Sequence, residues 1–210
     1  MQLTGKCMMQ RLQDIVSQLY RSPVGHARQV FAISRSEAEK LPRLPSVAVI
    51  SITAPERSTA NLDGFNHVLR LSFADVDFLK PDLSRKAAKK LTQAFTRGHA
   101  EMIRSFVESL PEEIIAIVVH CEGGYSRSCA IALGLHRLYG YNVEMEHLAH
   151  ANSSILRVMT ADDRMDRSHA AHSQAVMLDD AEKALKEGLA GRTRSERKFR
   201  KSLRRSTSRN

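Results

Sequence analysis

Cys121 and Arg127 stand six positions apart, with Glu122, Gly123, Gly124, Tyr125 and Ser126 between them and Ser128 directly after. A cysteine sulfur that has lost its proton is a strong nucleophile. An arginine offers a planar fork that can meet two oxygens of one anion. A glycine-rich loop between them points its main-chain N–H groups at whatever it encloses, which makes it a nest for an anion. A thiolate and a guanidinium on opposite sides of such a nest are the equipment for phosphoryl transfer through a cysteinyl-phosphate.

These residues need a rigid frame, and the flanking sequence supplies one. Ile114-Ile115-Ala116-Ile117-Val118-Val119 is a continuous apolar, β-branched run, the pattern of a strand buried on both faces. Cys129-Ala130-Ile131-Ala132-Leu133-Gly134-Leu135-His136 continues as an apolar run of helical length. The cysteine therefore falls at a strand's end and the arginine at a helix's start, where the helix dipole adds positive potential to the loop amides.

His120-Cys121-Glu122-Gly123-Gly124-Tyr125-Ser126-Arg127-Ser128 resembles the signature loop of the cysteine-dependent protein tyrosine phosphatase superfamily, and its Gly-Tyr-Ser-Arg-Ser ending is most similar to the dual-specificity branch. The resemblance implies a cysteinyl-phosphate mechanism without a metal or other cofactor. It makes Cys121 the nucleophile, and gives the phosphate to Arg127 and to the loop from Glu122 to Ser126. Ser128 would donate a hydrogen bond to the departing thiolate. His120, on the opposite side of the strand, would order the loop by hydrogen bonds, while Glu122 and Tyr125 would face the cleft mouth, where they either influence selectivity or are merely exposed. Low-molecular-weight tyrosine phosphatases carry their loop near the N-terminus and use an Asp-Pro acid, which this chain lacks. Receptor-type phosphatase domains carry Trp-Pro-Asp, and this chain has no tryptophan.

A leaving oxygen also needs a proton, which neither Cys121 nor Arg127 supplies near neutral pH. In the family that proton comes from an aspartate on a loop between an upstream strand and the long helix. Here the loop runs from Phe73 to Pro81, so Asp75 and Asp77 are the candidates. Asp75 is preferred because it lies closer to the strand's end; Asp77 is kept as the alternative and Asp82, which reads as a helix-start residue, as a third choice.

Further strands are expected at Val30–Ser34, Val47–Ile52 and His67–Phe73. A long amphipathic helix is expected from Ser84 to about Leu110, bending near Gly98, with helical turns starting at Ser36 and helices over 143–151 and 154–159. This alternation predicts an α/β domain over residues 25–160, with a central, mainly parallel sheet of four to five strands and helices on both faces, as in protein tyrosine phosphatases. An amphipathic helix within 1–24, which packs on the domain or binds a partner helix, precedes it. A peripheral helical extension over 161–191 and a basic, disordered tail over 192–210 follow.

The net charge is +9 over 210 residues, but residues 192–210 hold nine Lys and Arg against Glu196 alone, which is +8 and leaves +1 for the rest. The folded body is thus close to neutral. Expected partners are phosphorylated proteins or other phosphomonoesters, with a weak tail contact to nucleic acid or an anionic membrane. RNA or phosphoinositide phosphatase activity and a non-catalytic phosphate-binding adaptor are the rival readings. No transmembrane segment is expected. Three cysteines, Cys7, Cys121 and Cys129, fit a reducing, cytoplasmic setting. Cys129 is expected in the core, with reversible pairing to an oxidised Cys121 as an alternative.

Overall fold

The computed structural model describes residues 3–21, 27–81 and 84–161. The extension and basic tail expected beyond 161, and Asp82, lie outside the described residues.

Five strands form one sheet in which every neighbouring pair is parallel: β1 (Gln29–Ser34), β2 (Val47–Thr53), β3 (His67–Ser72), β4 (Ala116–Cys121) and β5 (Asn142–Val143), in the order β3-β2-β4-β1-β5. All seven residues of β2 and all six of β4 are buried. These strands are rich in Val and Ile, as a strand covered on both faces requires.

Alternation along each strand divides the core in two. Phe31, Ile33, Val47, Val49, Ala116 and Val118 face one way, where α1 (Leu3–Leu19) contributes Ile15 and Leu19 and α2 (Arg35–Ala38) contributes Ala38. Ala32, Ile50, Ile52, Ile117, Val119 and Cys121 face the other way. That side is covered by α4 (Arg97–Glu108), α5 (Arg127–Tyr139) and α6 (Ser153–Thr160). The architecture is therefore α/β, with helices on both faces of a parallel sheet.

Register decides where chemistry can occur. Ser34 pairs with Cys121, Ser51 with His120 and Thr53 with Ser72, so the carboxyl ends of β1 to β4 reach one edge together. Parallel sheets bind their ligands at that edge.

Three local expectations are corrected. The long helix over 84–110 is instead α3 (Arg85–Ala88), a 3-10 turn at Leu91–Gln93, and α4. The break falls at Ala94–Thr96, before Gly98, where Ala94 and Thr96 are extended. Thr96 caps α4 reciprocally: its hydroxyl accepts the His99 N–H, and the His99 ring nitrogen accepts the Thr96 N–H. The extended segment turns Phe95 inward, edge-on to Phe73 with ring centroids 4.9 Å apart. Leu91 and Met102, which match the helical spacing, are exposed. The helical turn near Ser36 starts earlier, because Ser34 is the cap and Glu37 returns to the Ser34 N–H at 2.7 Å. The helix expected over 143–151 is β5 followed by a 3-10 turn at Met145–Leu148. Asn142 and Val143 satisfy their main chain beside β1 rather than by coiling.

Candidate active site

The loop from Glu122 to Ser126 leaves the central strand and enters α5. Gly124 makes its shape possible. Its φ is +79°, and a Cβ built there would lie 2.4 Å from the Ser34 nitrogen and 2.5 Å from the Ile33 carbonyl carbon. The loop thus rests against the end of β1 at a point that only glycine fits. The Arg35 N–H donates to the Glu122 carbonyl at 3.4 Å on the same side.

Cys121 ends β4 at 3% exposure. The Gly124 N–H donates to its Sγ at 3.3 Å, and the Ser128 hydroxyl lies 3.3 Å from it. The Gly124 N–H is a donor and the Ser128 hydroxyl can act as one, as a sulfur anion requires. Cys129 lies behind the loop, where its thiol donates to the Gly124 carbonyl at 3.4 Å and the His147 carbonyl at 3.3 Å. Burial pushes the Cys129 thiol up to about 11, so it remains a neutral donor supporting the loop.

Arg127 opens α5 and is buried. Its Nη1 donates to the Phe73 carbonyl at 3.0 Å, which ties the end of the third strand to the loop. Among the described residues its Nε has no hydrogen-bond partner, and it lies 3.8 Å from Asp75 Oδ2.

The two acid candidates are held differently. Asp75 Oδ1 accepts from the Ser126 hydroxyl at 2.8 Å and from Asn152 Nδ2 at 3.0 Å, which leaves Oδ2 turned to the arginine. Asp77 Oδ1 accepts from the Ser154 N–H at 3.2 Å and from the Ser154 hydroxyl at 2.6 Å, both at the start of α6. Asp75 thus touches the cysteine loop, whereas Asp77 is bound to a helix end.

His120 points away from Cys121 and places its Nε2 2.9 Å from the Ser51 hydroxyl of β2. It is bonded to the neighbouring strand. Burial brings its pKa down to about 4, so it is neutral near physiological pH. Glu122 is exposed. Tyr125 is 62% exposed, and its ring lies across Gly123, where a Cβ would fall 2.2 Å from the ring.

A cleft of about 850 Å³ opens beside the loop, lined by Asp75, Asp77, Tyr125, Ser126, His150 and Asn152 among others. A smaller hollow of about 310 Å³ is lined by Glu56, Asp75, Lys90 and Arg127, with Glu56 and Lys90 paired as ions. Asp75 borders both. Among the described residues, no group of three or more His, Cys, Asp or Glu is placed to hold a metal ion, and no helix is long and apolar enough to cross a membrane.

Sequence reasoning did not single out Asn152. Its sequence context, Asn152-Ser153-Ser154 before an apolar helical run, is a recognisable helix start, but nothing local connects it to Asp75. Comparison with protein-family models, with curated proteins and with solved structures finds no match to the chain.

Proposed function

We propose that the chain is a cysteine-dependent phosphatase of the protein tyrosine phosphatase type, hydrolysing phosphate monoesters of tyrosine, and of serine or threonine, in proteins. The observation that supports this best is the convergence of Cys121 Sγ with its two donors, the buried Arg127 fork and the Asp75 carboxyl on one sheet edge.

In the first step the Cys121 thiolate attacks phosphorus opposite the leaving oxygen, and a sulfur–phosphorus bond forms as the phosphorus–oxygen bond breaks. Asp75 gives its proton to that oxygen, so the product leaves as the neutral alcohol or phenol. Arg127 and the loop amides hold the equatorial oxygens throughout. In the second step a water molecule loses a proton to Asp75 and attacks phosphorus. The thiolate departs, accepting the Ser128 hydroxyl and Gly124 N–H as donors, and inorganic phosphate is released. An open cleft with the exposed Tyr125 on its lining would suit phosphoserine and phosphothreonine as well as phosphotyrosine.

Turnover of an aryl phosphate by the wild-type chain tests this directly. The expected result is hydrolysis that disappears in Cys121→Ser while tungstate binding persists. Phosphate binding with no wild-type turnover would point to the adaptor reading instead.

A further inference from the structure

Two buried cysteines flank the anion loop, and only Cys121 takes part in the chemistry proposed above. We infer that Cys129 is a positioning residue: its thiol proton pins the Gly124 carbonyl and so keeps the Gly124 N–H on the Cys121 sulfur. This role rests on the phosphatase reading and extends it to how the nucleophile is kept ready.

The loop needs such a pin because its own sequence gives it little stiffness. Gly123 and Gly124 are adjacent, and main chain without a Cβ reaches more conformations than any other. Gly124 is nevertheless buried in one left-handed conformation. Its N–H donates to Cys121 Sγ at 3.3 Å, and its carbonyl accepts from the Cys129 thiol at 3.4 Å. The two bonds act on the peptide groups before and after one residue, and together they fix its orientation. A buried carbonyl that loses its donor turns to find another. The glycine then relaxes, its N–H leaves the sulfur, and a sulfur anion without that donor is less favoured.

Cys129 is suited to this task by where it lies. It is 0% exposed on α5, the helix that Arg127 opens, so the donor and the arginine share one element. Its sulfur also lies 3.3 Å from the His147 carbonyl, and its single proton is shared between the two carbonyls. The turn at Met145–Leu148 is thereby drawn to the same point. Burial keeps this thiol protonated; the nearby Cys121 sulfur adds to that effect and Arg11 of α1 opposes it. Arg127 and Asp75 lie on the cleft side of the loop, the His147 ring faces Glu144 at 3.6 Å, and His120 is turned to Ser51. The two cysteines thus have opposite tasks, one to give up its proton and the other to hold it.

Three variants separate the donor from the volume it occupies. Cys129→Ser keeps a donor, Cys129→Ala removes it, and Cys129→Val removes it while filling the space. Alkylation of Cys121 by iodoacetamide, mapped to its own peptide, is measured at pH 6 and pH 9 and needs no turnover. Both apolar variants are expected to lose about threefold or more in rate at pH 6 and little at pH 9, and the acid limb of kcat/KM for an aryl phosphate should move to higher pH with them. Cys129→Ser should stay within about twofold of wild type at both pH values. A role in packing alone predicts instead a lower urea midpoint with the ratio of the two rates as in wild type. An unchanged ratio in the apolar variants, a change in Cys129→Ala that Cys129→Val restores, or an equal change in Cys129→Ser would overturn the assignment and leave the phosphatase reading intact. Absence of Cys121-dependent turnover in the wild-type chain would remove the phosphatase reading, while the alkylation ratios would still decide whether Cys129 holds the loop.

Discussion

Gly124 meets backbone where a side chain would stand, which no rotamer change can relieve, and Arg127 is the buried cation of the same loop. At Gly124 the main chain is left-handed and the space for a side chain is occupied by the backbone of β1. Gly124→Ala should therefore lower stability by roughly 2–4 kcal/mol and displace the N–H aimed at Cys121. Urea unfolding and tungstate affinity, measured on the same preparation, check both effects; wild-type behaviour in both would mean that the loop is not held as described. At Arg127 a lysine keeps the charge but loses the fork that reaches the Phe73 carbonyl. Arg127→Lys is expected to lower kcat/KM by about 10²- to 10³-fold, readable by steady-state kinetics on an aryl phosphate. The placement of Cys121 and Arg127 on one strand-to-helix turn was legible in the sequence, because cysteine, glycines and arginine are all local to that turn. Asn152 was not, because its partner Asp75 is 77 residues away and only the tertiary fold brings them together.

At the level of elements, the strands were readable and the connecting helix after β3 was not. β2 and β4 are uninterrupted Val/Ile-rich runs, a pattern that local sequence fixes. Leu91, Phe95 and Met102 also fall at helical spacing, yet only Phe95 is buried among them, and it lies outside any helix, edge-on to Phe73 and stacked on His99. Periodicity counts apolar residues but does not say which of them a distant ring will capture. Thr96 then decides where α4 begins. Thr96→Ala removes one half of its reciprocal cap and should cost about 1 kcal/mol, seen as a lower urea midpoint with an unchanged slope. The α5–α6 contact has a more functional reach. A Cβ at Gly134 would lie 3.1 Å from Met159 Cβ, so Gly134→Leu must push α6 away from α5. Because α6 begins at the cap that holds Asp75 and Asp77, the expected outcome is a loss of phenyl phosphate turnover larger than the loss of stability of roughly 1–3 kcal/mol.

For the whole molecule, the buried histidine in the centre of the sheet couples folding to pH. His120 has its pKa lowered from 6.5 to about 4 by burial, so between those values the unfolded chain binds a proton that the folded chain refuses. Its contribution is complete above pH 6.5 and is lost as the pH falls toward 4, a change of about 3 kcal/mol. Unfolding free energies at pH 7.5 and 4.5 should differ more in wild type than in His120→Asn, and an equal difference would remove His120 as the cause. The same sheet brings the ends of four strands to one edge, and all of the proposed chemistry stands there. In the proposed reaction Cys121 takes the phosphoryl group before water does. The most direct measurement mixes the chain rapidly with an aryl phosphate, quenches in acid, and maps the peptides by mass spectrometry. A phosphoryl group on the Cys121 peptide that forms and decays at the rate of turnover is the expected result. Full phosphate release with no phosphorylated Cys121, or undiminished release in Cys121→Ser, would contradict it.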